Sequence, residues 1–169
     1  MIRLMYCLLL LPLASSAQLY KPYAKPVRWA ATGEIGGISP LVSANLEYAP
    51  VQCRKSFVVI HGGIGQLFSG YSFCTLPHAL TWNILLNGKA KGCPPVKPRN
   101  QLFAELGAGG VYLAGAKDGN AYRWSPLLGV RRYFSYNLLA TGFWKAQLTP
   151  LVAGRLVPWG GVGIGLVID

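Results

Sequence analysis

The chain has 169 residues, a formal net charge of +11 and only 12% charged residues. It is long enough for one domain, and after a short N-terminal run no stretch approaches the ~18 apolar residues of a membrane-spanning helix, which excludes helical spans. The basic surplus raises nucleic acid as a partner, but it sits mostly in connections (Arg54-Lys55, then Lys89, Lys91, Lys97 and Arg99) and no nucleic-acid motif is present. Basic turns beside anionic lipid head groups are the simpler account.

Residues 1–17 read as a secretory signal peptide: Arg3 supplies the positive start, Leu4 to Leu13 the apolar run, and Ser15-Ser16-Ala17 the small residues before a cut. Residues 18–26 bear Pro and Lys and read as an N-terminal tether, and residues 27–169 as the folded domain. Strand candidates follow at about 27–36, 40–49, 56–67, 75–86, 101–113, 122–134, 141–151 and 158–168. Each is near the ~9–11 residues that a tilted strand needs to cross a bilayer. The first two are divided only by Gly36-Gly37-Ile38-Ser39, so residues 27–49 read as two strands or as one long bent strand. The split is preferred because a closed bacterial barrel normally has an even strand number.

The alternation within these segments has a period of two. Val42, Ala44, Leu46 and Tyr48 oppose Ser43, Asn45 and Glu47, and Leu102, Ala104, Leu106 and Ala108 oppose Glu105, Gly107 and Gly109. From the second segment onward the even positions form an apolar face, while the odd positions carry glycine, small polar and singly charged residues. A soluble sandwich would show Lys, Glu and Thr on its outward face. Here the polar face is crowded with glycine and the other is almost uncharged, so the apolar face is assigned to lipid and the polar face to a narrow lumen. Unpaired strand edges in hydrocarbon cost several kcal/mol per group, so the strands must close. The expected fold is all-β, an eight-stranded antiparallel up-and-down transmembrane β-barrel in the bacterial outer membrane. Trp29, Tyr48, Tyr112, Trp124, Trp144 and Trp159 lie near strand ends, where interface girdles are expected.

The inward parity gathers Glu34, Glu47 and Glu105 with the cations Arg28, Arg131 and Lys145, and His61 beside them. Opposite charges in a low-dielectric lumen should pair, so Glu34, Glu47, His61, Glu105, Arg131 and Lys145 are expected to form a polar network, with Arg131 between Glu47 and Glu105. An eight-stranded interior is barely wide enough for side chains, so a filled lumen is favoured over a narrow pore for small solutes. A lipid-modifying enzyme is the third reading. His78 has Ser69, Ser72 and Thr75 near it in sequence but no nearby carboxylate, so no catalytic set is assembled.

After export three cysteines remain, and Cys53 and Cys93 fall in connections at one end, so a Cys53–Cys93 disulfide is a candidate pairing. They show no CxxC spacing and no neighbouring His cluster, and neither a metal nor a cofactor is expected. GGIG at 62–65 and GGVGIG at 160–165 open no helix and are not nucleotide loops. The connections at about 69–74 and 114–121 offer outer contact surfaces, with Lys117 and Arg123 suited to lipopolysaccharide phosphates.

The segments SANLEY at 43–48, FAELG at 103–107, SPLLGVR at 125–131, FWKAQLTPL at 143–151 and PWGGVGIG at 158–165, taken in order, resemble a family of small outer-membrane β-barrel proteins of Bacteroidota. The resemblance spans residues 31 to 168 and implies a small porin-like barrel in the outer membrane, with no general enzymatic activity to carry over; a structural or interaction role is the reading adopted. Its partners would be outer-membrane lipids, lipopolysaccharide and, during insertion, the barrel-assembly machinery. Such barrels commonly end on an aromatic residue, whereas here Ile168 takes that place and Asp169 follows.

Overall fold

A computed structural model describes residues 29–53, 55–69, 71–87, 101–114, 121–135, 141–152 and 156–168. Strands β1 (Trp29–Gly36), β2 (Val42–Gln52), β3 (Ser56–Ser69), β4 (Tyr71–Leu85), β5 (Leu102–Ala114), β6 (Ala121–Ser135) and β7 (Thr141–Leu148) follow one another. A two-stranded ribbon, β8 (Leu151–Val152) and β9 (Leu156–Val157), precedes the last barrel strand, β10 (Gly160–Val167). Each barrel strand pairs antiparallel with its neighbour in sequence, and β10 pairs with β1, from Ala30↔Val167 to Gly36↔Gly161. The result is a closed eight-stranded up-and-down barrel. Closure gives every strand two partners and leaves no open sheet edge.

The alternation decides which residues face out. Leu46, Ile60, Leu80, Trp82, Leu106, Leu128, Trp144, Val162 and Ile164 are all exposed, whereas Asn45, His61, Thr81, Glu105, Arg131 and Lys145 are buried. In β1 the parity is reversed: Trp29 and Ile35 face out, while Ala30, Thr32 and Glu34 face in. The five residues between β1 and β2 reset it. Gly36, which ends β1, and Gly37, the first of the five, have φ of 72° and 81°, left-handed values that favour glycine. Of the expected segment 27–49, the described residues 29–49 therefore lie in two strands rather than one bent strand.

Two irregularities have local causes. Between Tyr48↔Ile60 and Val51↔Val58 the β2–β3 register shifts by one residue, at Ala49-Pro50, where proline offers no N–H to the ladder. The β3–β4 pairing lapses between Gly62↔His78 and Gly65↔Thr75, opposite Pro77. The expected connection at about 69–74 is mostly strand, since β4 begins at Tyr71.

The lumen is packed in three layers. At the end carrying the β1–β2 turn, Ile38 folds inward against Ala79, Val111, Leu113 and Leu127. Ser39 follows it and shares a hydrogen bond of 3.1 Å with Thr75. At the end where the barrel begins and finishes, Ala30, Phe103, Tyr133 and Phe143 form a second apolar cluster backed by Phe57, Leu85 and Val167. Its rings meet edge-on or tilted, with centroids 5.0 Å apart for Phe57–Phe103 and 5.1 Å for Tyr133–Phe143. The charged side chains lie between these two layers.

Candidate functional site: a buried charged network in the lumen

Six side chains from six strands meet in the middle layer: Glu34 on β1, Glu47 on β2, His61 on β3, Glu105 on β5, Arg131 on β6 and Lys145 on β7. Arg131 is 1% exposed and Glu105 is fully buried. The Arg131 guanidinium donates to both oxygens of Glu47, from Nη1 at 2.6 Å and from Nη2 at 3.3 Å. The same Nη2 donates to Glu105 Oε1 at 3.0 Å. A planar fork can hold two carboxylates at once, which a lysine ammonium does with less directional control. The guanidinium carbon also stands 4.6 Å from the centre of the Phe143 ring, which ties the network to the aromatic layer.

Lys145 joins the other half. Its Nζ lies 2.5 Å from Glu34 Oε1 and 2.8 Å from Glu47 Oε1. The register explains this reach. Lys145 stands opposite Gly163 on β10, and Gly163 in turn stands opposite Glu34 on β1. A Cβ at Gly163 would press on both Glu34 and Lys145, so the bare glycine is the gap through which the lysine crosses one strand to its partner. Neutral groups add to the carboxylates: Gln147 Nε2 donates to Glu34 Oε2 at 2.9 Å, and Thr81 Oγ1 donates at 2.8 Å to Glu105 Oε1, the oxygen that Arg131 also holds. Asn83 Nδ2 continues the chain to Thr81 Oγ1 at 3.3 Å.

His61 belongs to the layer by position and not by hydrogen bonding. It is cross-strand partner to Glu47 and 2% exposed, and neither ring nitrogen has a hydrogen-bond partner among the described residues. Thr81, Asn83 and Gln147 are members that charge and parity alone did not single out, although their inward positions were readable.

His78 lies on the outer wall, its Nε2 3.0 Å from the Tyr122 hydroxyl and the two rings stacked at 5.6 Å. Thr75, close to it in sequence, is fully buried on the opposite face of β4. The side chains of Ser69 and Ser72 lie outside the described residues. Among the described residues Cys53 and Cys74 form no disulfide, and Cys93, the candidate partner of Cys53, lies outside them, as do Arg28 and Lys117.

No family model and no curated protein matches the chain. Among solved structures the chain is similar to the N-terminal β-barrel domain of Pseudomonas aeruginosa OprF, at 13% identity, with 82% of this chain and 93% of that chain covered and a TM-score of 0.47. That likeness is one of overall shape, and the barrel described above stands on its own strand pairing. The resemblance to a Bacteroidota family has no counterpart in these comparisons.

Proposed function

We propose that the protein is a structural or interaction barrel of the bacterial outer membrane whose lumen is filled and does not conduct. The observation that carries this reading is the layering of the interior. Paired charges occupy the middle, and packed apolar clusters, one with Ile38 and the other with Phe143, lie above and below them. A solute would have to separate both layers and break ion pairs that water does not screen. The exterior supports the membrane placement: Ile164 is 63% exposed and Leu128 54%, with aromatic Trp29, Tyr122, Trp124 and Trp144 among the exposed residues. In this reading residues 1–17 direct export, the barrel-assembly machinery inserts the chain, and lipid and lipopolysaccharide are its immediate surroundings.

Planar-bilayer recording of the purified full chain tests it. The filled lumen predicts no channel events above the lipid baseline, and the double variant Ile38→Ala/Phe143→Ala should raise their frequency. Steady conductance by the unaltered protein would show a pore for small solutes instead.

A further inference from the structure

The middle layer holds more than the ion pairs use. Glu34, Glu47 and His61 lie on the adjacent strands β1, β2 and β3, and one ligand-type atom from each falls within 4.8 Å of the others. All three side chains are buried, and the two ring nitrogens of His61 have no hydrogen-bond partner among the described residues. A neutral imidazole always has one lone pair to offer, and leaving it bare in a protein interior costs about 1–3 kcal/mol. The surroundings are also rich in acceptors. Three carboxylates face two permanent cations in the network, and the side-chain oxygens of Asn45 and Gln147 lack donors as well.

We infer that Glu34, Glu47 and His61 form a binding site for one divalent transition-metal ion, with zinc the best fit. One imidazole nitrogen with two carboxylates is a borderline donor set that suits zinc, whereas calcium and magnesium take oxygen alone. Zinc holds such donors at ~2.0–2.2 Å, which puts them roughly 3.3–3.6 Å apart, so the side chains close inward by at most about 1.5 Å. Lys145 is the resident cation of the same two carboxylates and competes with the ion; the metal gains a place by drawing at least one carboxylate away from the ammonium. Both apolar layers block entry to the folded barrel, so the ion is loaded as the chain folds.

The inference rests on the closed lumen proposed above. Conductance tests the closure and metal retention tests the site, so either can fail alone. The experiment folds the full mature chain into detergent with zinc chloride present, in a Cys53→Ser/Cys74→Ser/Cys93→Ser background that removes competing thiols. Folding is verified by heat-dependent gel mobility, weakly held metal is stripped with a chelator, and bound metal is measured by mass spectrometry. About one zinc per barrel should be retained. His61→Asn should lower retention at least tenfold, and Lys145→Met should raise resistance to the chelator. Calcium should not be retained. Absent zinc, or equal zinc with and without the imidazole, overturns the site. Should His61→Asn fail to fold, the cobalt-loaded parent decides by X-ray absorption: nitrogen and oxygen ligation supports the site, and oxygen alone overturns it.

Discussion

Arg131 and Arg132 are neighbours with opposite fates. Arg131 is enclosed by Glu47, Glu105 and the Phe143 ring, while Arg132 is on the outer face, opposite Leu102 and Trp144. Removing one partner of a buried pair leaves the other charge stranded, at about 3–5 kcal/mol. Arg131→Met should therefore lower stability by that amount in urea unfolding monitored by gel mobility, because it strands Glu105 and leaves Glu47 to Lys145 alone. Arg132→Met should not lower it, since a charge on the lipid-facing wall is a cost rather than a contribution. The two-residue alternation made this division readable from sequence, and with it the inward set of six. What it left open was which pairs form. Lys145 reaching Glu34 depends on β10 lying between β7 and β1 with Gly163 in the gap, and that register is a property of the closed ring. Gly163→Val should thus weaken the barrel more than Gly62→Val, because a Cβ at Gly62 meets nothing within 4 Å. The same unfolding assay checks it.

At the scale of the element, the β1–β2 turn does more than join two strands. Its glycines take left-handed backbone, and a Cβ on Gly37 would strike the Gln147 amide and the Glu34 carboxylate. Gly37→Ala should destabilise by about 1–3 kcal/mol, the usual cost of a strained backbone position. Ile38, the next residue, is 1% exposed within the apolar layer, so Ile38→Ala should cost about 2–4 kcal/mol through the cavity it leaves. Thermal unfolding of both variants in one detergent measures the difference. In the sequence this tetrad reads only as a divider, because an apolar residue between glycine and serine carries no period. Its inward fold shows only when β4, β5 and β6 surround Ile38. The connection expected near 69–74 misreads for a related reason: its polar and aromatic residues break the alternation, yet Leu67↔Phe73 and Ser69↔Tyr71 continue the ladder.

For the whole molecule, the account depends on a single choice of inside and outside. The apolar set covers the outer wall of all eight strands, and glutamates, arginine, lysine and glycines turn inward around the ring. A lipid-facing arginine near the bilayer midplane costs about 2–4 kcal/mol, so Ile164→Arg should be destabilising by that amount when the barrel is folded into vesicles. The most direct measurement places a spin label singly at positions 104 to 108 on β5 and 162 to 166 on β10, in vesicles, and compares collision with oxygen and with a water-soluble nickel chelate. Lipid-facing walls predict high oxygen access at 104, 106, 108, 162, 164 and 166 and low access to both reagents at 105, 107, 163 and 165. High oxygen access at 105 and 163, with 106 and 164 shielded, would contradict it.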